Sequence, residues 1–160
     1  MQLKTPRLSL REAALEDVAV LAAYQGDPRY LEHYLAVPDA GTIVADAISW
    51  QAASPRLNYQ FIVELDGAAI GCAGLRQAGQ PPGCAEVGVE IDPRYWGVGY
   101  AEELLSRLIR FARDELRLTH LRAETTMTNR RAIRLVERLG FRVVSSGGDA
   151  VSLELALPTS

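Results

Sequence analysis

Glu86-Val-Gly-Val-Glu-Ile-Asp-Pro-Arg-Tyr-Trp-Gly-Val-Gly-Tyr-Ala-Glu-Glu-Leu-Leu105 holds more information than any other stretch of this chain. Residues 84–91 alternate in the manner of a strand, and Asp92-Pro93 ends them. A glycine-punctuated turn follows, and a helical apolar stripe begins at once. Gly97 and Gly99 place no side chains in that turn. Consecutive backbone N–H groups at the start of a helix form an anion site, because the helix dipole is positive there. Arg94 adds a full positive charge at its lip. A dinucleotide fingerprint needs a third glycine at 102, where Glu102 stands. A P-loop needs Gly-Lys-Ser/Thr, and the single lysine is Lys4. A tight strand-to-helix turn with no ligand accounts for the same residues.

Outward from this stretch the period changes several times. Toward the N-terminus, Tyr59–Leu65 and Ala68–Leu75 read as strands flanking Asp66-Gly67, a two-residue hairpin signal. Residues 7–13 read as a first strand and 15–25 as a helix stopped by Asp27-Pro28. Residues 28–36 suggest a short helix or irregular turn. Thr42 is placed to cap a helix over 43–53. Toward the C-terminus, a helix over 99–117 buries Leu104, Leu105, Leu108, Phe111, Ala112 and Leu116. A strand at 120–126 and a helix at 129–139, stopped by Gly140, come next. Phe141–Ser146 and Val151–Leu157 close the chain as a hairpin. The element order predicts one α+β domain over 1–160 with a mixed sheet.

At 160 residues with 48% hydrophobic content, the chain can bury a core without disulfide staples. Cys72 and Cys84 are too few for a disulfide framework or a zinc cluster, so no metal is expected. No apolar run reaches membrane-spanning length, and no export signal is read at the N-terminus, so the expected location is the cytoplasm. The net charge of −3 argues against a nucleic-acid partner. The charge is uneven: Arg94 to Arg142 holds 11 basic and 6 acidic residues, and the remainder holds 6 and 14. Such a division suits an anion in one region and a cation elsewhere, although solvated helix faces produce it too.

Three stretches together resemble a known family. Arg94-x-x-Gly97-x-Gly99-x-Ala101 is similar to the pyrophosphate-binding signature of the GNAT N-acetyltransferases, and Tyr95-Trp96-Gly97 through Tyr100-Ala101 resembles their RimJ/RimL-like branch. Asn129-Arg130-Arg131-Ala132 through Leu139-Gly140-Phe141 resembles the family's later helix. Thr5-Pro6-Arg7-Leu8-x-Leu10-Arg11 is similar to the start of that branch. The resemblance implies a largely antiparallel sheet of about seven strands, splayed in the middle, with about four helices on both faces. The gap should lie between the strands at 84–91 and 120–126 and admit acetyl-CoA.

The resemblance also implies roles. The N–H groups of 97–101 (Gly97, Val98, Gly99, Tyr100 and Ala101) should hold the pyrophosphate, with Arg94 and Trp96 beside the cofactor; Arg130, Arg131 and Arg134 either meet its phosphates or lie on a solvated face. Val89 and Ile91 should pair with pantetheine amides as an added strand does. Asn129 should bond the pantetheine arm near the sulfur, or serve as a helix N-cap, or both. Acetyl transfer to an amine needs the neutral amine. At pH 7 a lysine-like amine is free in only about one molecule of 2,500, against roughly one in seven for an α-amine. A base is therefore expected. Glu86 ranks first, with Glu90 on the same face of its strand and Glu124 on the next, and each has a salt-bridge reading as well. Relatives' hydroxyls are absent at Ala132 and Val136, so the group that protonates the thiolate is unassigned. Cys72 and Cys84 read as packing rather than as acyl carriers, because neither has an evident activating histidine. The acceptor pocket is expected from Tyr30, His33, Tyr34 and Trp50, with Tyr24, Glu32 and Asp46 nearby.

The acceptor is then a protein N-terminus or a small-molecule amine, and the chain a monomer or homodimer. A CoA-binding sensor without turnover is the alternative, and an unrelated nucleotide-binding domain a third reading.

Overall fold

A computed structural model describes residues 1–33 and 38–158. Its strands are β1 (Gln2–Lys4), β2 (Ser9–Glu12), β3 (Asn58–Leu65), β4 (Ala68–Arg76), β5 (Cys84–Ile91), β6 (His120–Thr126), β7 (Arg142–Gly147) and β8 (Ala150–Ala156). They form one sheet in the order β1-β2-β3-β4-β5-β6-β8-β7. The helices are α1 (Asp17–Gln25), α2 (Pro28–Leu31), α3 (Ala40–Gln51), α4 (Tyr100–Arg110) and α5 (Arg130–Arg138). A 3-10 turn, Pro93–Tyr95, precedes α4, and a π-helical turn, Phe111–Glu115, continues it. The fold is the expected α+β sheet, with eight strands in place of seven and five helices in place of four. The extra strand is β1, whose three residues hold one apolar side chain and so show no readable period. It pairs antiparallel with β2, Leu3 opposite Leu10.

Local chemistry explains most boundaries. Asp66 and Gly67 take φ of 50° and 82°, the left-handed pair that a tight hairpin between β3 and β4 needs. Helix α3 is capped by Asp39, whose side chain accepts from the Thr42 N–H, so the helix begins at Ala40 rather than at 43.

One feature of the sheet positions the site. β5 pairs antiparallel with β4 from Gly71↔Ile91 to Arg76↔Glu86. It pairs parallel with β6 only over Cys84–Glu86 and His120–Arg122, and then the two strands part. The gap falls where the resemblance placed it.

Side chains on β4 and β5 divide between two hydrophobic layers. Leu75, Ala85, Val87 and Ile91 pack with Leu104, Leu105, Leu108 and Phe111 beneath α4, and Val136 of α5 joins them. Cys72 and Ile62, on the opposite face, pack with Leu21, Tyr24, Val44 and Ala47 of α1 and α3. Cross-strand partners share a face, so Glu86 and Glu90 belong to the α1–α3 side with Arg76 and Cys72. Glu124 lies on that side as well, two residues after Arg122, the partner of Glu86. No helix of the described residues is long and apolar enough to cross a membrane.

Candidate active site

A cleft of about 1120 Å³ runs through the gap between β5 and β6. At one end it is bounded by Trp96, Gly97, Gly99, Tyr100 and Ala101. Gly97 and Gly99 both take φ of +88°, a conformation that costs any other residue strain. A Cβ built on Gly97 would meet no protein atom within 4 Å, so the turn faces open space. Arg131, Arg134 and Arg138 line this end as well, with Glu102 lying 3.5 Å from Arg138. Arg131 stands 5.4 Å over the Trp96 ring, and the Trp96 indole N–H donates to the Ile91 carbonyl at 2.8 Å. A concave turn of N–H groups beside guanidinium groups is a fit for a diphosphate.

The other end opens toward α3, where Asp46 and Trp50 line it. Among the described residues, Asp46, Glu86, Glu90 and Glu124 line the cleft on the α1–α3 side with one guanidinium, Arg76, and Asp149 borders it beside β8. Glu86 accepts from Arg76 at 2.8 Å through Oε1 and is about one-third exposed. Glu90 is only 8% exposed. Its Oε1 accepts from the Tyr24 hydroxyl at 2.7 Å and from Gln25 at 3.4 Å, and its Oε2 accepts from the Tyr30 hydroxyl at 3.0 Å. Burial, then the neighbouring Cys72 and Glu90, push the Tyr24 hydroxyl far above its ordinary pKa. It stays protonated and can only donate to the carboxylate. Glu90 therefore ties α1 and α2 to β5.

Asn129 is the N-cap of α5. Its Oδ1 accepts from the Ala132 N–H at 3.3 Å, and its Nδ2 donates to Thr125 at 3.1 Å. One amide hydrogen is left over, and the residue lines the cleft together with Ala132 and Val136.

The structure brings Val89, Ile91, Trp96, Gly97, Gly99, Tyr100, Ala101, Asn129, Arg134, Glu86, Glu90, His33 and Trp50 to one cleft. Three expected residues stand elsewhere. Arg94 folds back on Asp92 with bonds of 3.0 and 2.7 Å, and its charge does not line the cleft. Val98 turns outward, its carbonyl accepting from Arg7. Tyr30 is buried behind Glu90 rather than lining the acceptor end. Tyr34 lies outside the described residues. His33 reaches the cleft with a buried Nδ1 that has no hydrogen-bond partner among them.

Neither cysteine is placed as a nucleophile, although Cys72 borders the cleft. Cys72 is buried, and burial followed by the charge of Glu90 pushes its thiol up. Cys84 lines a separate small pocket beside His120. Among the described residues no three His, Cys, Asp or Glu side chains come together to hold a metal. Residues that the sequence did not point to include Arg76, Gln60 and Arg138, all in the lining.

The model of the acetyltransferase (GNAT) domain matches residues 7–142. The uncharacterised N-acetyltransferase p20 of Bacillus licheniformis is 30% identical over 148 residues, covering 88% of this chain and 82% of that protein. RimJ of Mycobacterium smegmatis, solved with CoA-disulfide, superposes with a TM-score of 0.80 at 16% identity, covering 98% of this chain and 87% of that one. Spermidine N-acetyltransferase of Vibrio cholerae, solved with CoA and spermine, gives 0.77 at 18% identity, with 94% and 96% covered. At such identities the two structures speak for the fold alone, whereas the domain model and the 30% relative speak for descent. With the glycine turn, the parted strands and the capped α5 all in place, the chain belongs to the GNAT acetyltransferases.

Proposed function

We propose that the protein transfers the acetyl group of acetyl-CoA to a primary amine by direct attack in a ternary complex. The observation that carries this reading is one continuous cleft that joins the Gly97–Ala101 turn to the carboxylate face through the gap in the sheet. The N–H groups of Gly97, Gly99, Tyr100 and Ala101 and the guanidinium of Arg134 hold the diphosphate. The backbone of Val89 and Ile91 pairs with the pantetheine amides, with the Ile91 carbonyl already given to Trp96. The spare amide hydrogen of Asn129 holds the arm near its sulfur.

Glu86 is the base, acting directly or through a water. Its Oε2 has no partner among the described residues, whereas both oxygens of Glu90 are engaged by tyrosine hydroxyls. The neutral amine nitrogen bonds to the thioester carbonyl carbon, the C–S bond breaks, and the thiolate takes the proton that the new N-acyl nitrogen sheds. No acyl-enzyme forms, because Cys72 is buried and protonated and Cys84 is outside the cleft. Four carboxylates against one guanidinium at the acceptor end favour an amine that carries further positive charge over one flanked by a carboxylate.

Thiol release from acetyl-CoA, followed over a panel of polyamines, aminoglycosides, amino acids and peptide N-termini, tests the reading. Turnover should be highest with multiply charged amines. CoA binding with no release from any amine would favour the sensor reading, which the missing hydroxyls at Ala132 and Val136 permit.

A further inference from the structure

The glycine turn is braced from outside the cleft. Arg7 lies in the link between β1 and β2. Its Nη1 donates to the Val98 carbonyl at 3.0 Å. Its Nε and its backbone N–H donate to Glu103 at 2.8 and 2.9 Å, and the Thr5 hydroxyl bonds to the same carboxylate. The guanidinium lies 4.5 Å from the centre of the Tyr100 ring. Thr5, Arg7 and Glu103 are all absent from the lining of the cleft.

Two consequences follow from this geometry. In a trans peptide the C=O and the next N–H point opposite ways. With the Val98 carbonyl held outward by Arg7, the Gly99 N–H is directed to the other side, toward the anion site. The second concerns charge. Glu103 sits in the first turn of α4, where a carboxylate competes with any anion for the helix terminus. Burial alone would raise its pKa, but the bonds from Thr5 and Arg7 outweigh that and hold it below the ordinary carboxylate range. Glu103 is therefore ionised at neutral pH, and Arg7 is the cation that offsets it.

We infer that Arg7 is a positioning residue for the diphosphate turn: it orients the Val98–Gly99 peptide and offsets Glu103 without touching the ligand. The inference rests on the acetyl-CoA reading above.

The test is CoA affinity by calorimetry on the full chain, with acetyl-CoA kinetics alongside. Arg7→Ala should weaken CoA binding at least about tenfold, the scale of one lost charge-assisted hydrogen bond. KM for acetyl-CoA should rise with it while kcat stays within about twofold. Arg7→Ala combined with Glu103→Gln should recover about threefold, because the uncompensated carboxylate is gone. Arg7→Lys keeps the charge but cannot hold Val98 and Glu103 together, and should fall between. It carries the test if Arg7→Ala does not fold. Arg56→Ala is the control for stability: Arg56 makes an equivalent pair with Glu12, at 2.9 and 3.0 Å, away from the cleft. It should lower Tm comparably and leave CoA affinity unchanged. Native affinity in both Arg7 variants, or an equal loss in Arg56→Ala, overturns the inference. Failure of the native chain to bind CoA overturns the acetyl-CoA reading and this inference with it.

Discussion

Replacing Gly97 with valine separates strain from obstruction, because the structure supplies a matched position for comparison. Gly97 and Gly67 both hold left-handed φ, +88° and +82°, and a Cβ at either would meet no protein atom within 4 Å. Only one of them borders the cleft. Forcing an L-residue into that conformation costs about 1–2 kcal/mol. For a chain of this size that is a fall in Tm of roughly 2–8 °C, and it should be similar in Gly97→Val and Gly67→Val. Ligand binding should differ sharply. The valine at 97 would occupy the concavity where, on the proposed function, the diphosphate would meet several N–H groups, each charge-assisted bond being worth about 1.5–3 kcal/mol. Losing even two of them is about a hundredfold in affinity. Calorimetry with CoA on both variants, after thermal melts show both folded, reads the result. Equal CoA affinity in the two variants would refute the assignment of this turn as the anion site.

Other outcomes are as specific. Glu86→Gln should lower turnover about a hundredfold with acetyl-CoA affinity nearly unchanged, and steady-state kinetics against a binding isotherm would show it. A stability loss without that kinetic split would instead make Glu86 a partner for Arg76. Asp17 is held below its ordinary carboxylate pKa: burial raises it, but bonds from Arg11 and the Ala14 N–H outweigh that. Its contribution is thus complete above the unfolded value of 3.8 and fades as pH falls through the lower folded value. Asp17→Asn should cost about 1–3 kcal/mol at pH 7, and denaturant melts should show the gap to the native chain closing below about pH 4. A colourimetric thiol reagent should label one cysteine in the native protein, Cys84, and both after unfolding; rapid native labelling of Cys72 would contradict its burial.

How far the sequence could be read depended on how local each determinant is. The turn at Gly97–Gly99, the hairpin at Asp66-Gly67 and the cap at Asn129 depend on neighbours in the chain, and all three were legible. Strand parity alone puts Glu86 and Glu90 on one face. Their partners were not legible, because Arg76 reaches Glu86 through the β4–β5 register, and Tyr24 and Tyr30 reach Glu90 across more than fifty residues. Tyr30 reads as an acceptor-end residue because a four-residue helix has no period from which to read a buried side. Arg94 illustrates the opposite case. Its competitor, Asp92, is only two residues away, and a short-range pair captured the charge that the turn was expected to use. Arg7 and Glu103 are separated by 96 residues, and only the folded β1–β2 link makes them neighbours.

The sheet's two hydrophobic layers bear on how such a protein diverges. Residues under α4 and α5 support the glycine turn, whereas Leu21, Tyr24, Val44 and Ala47 carry the helices around the acceptor end. Neighbouring strand residues such as Phe61 and Ile62 belong to opposite layers, so the backbone of the sheet separates the two packings. Substitutions in one layer should therefore combine nearly additively with those in the other. A lineage can repack the small cluster around α1–α3 on its own, while the half that carries the glycine turn keeps its inherited core. That separability is a physical route by which chains sharing under a quarter of their residues retain one architecture.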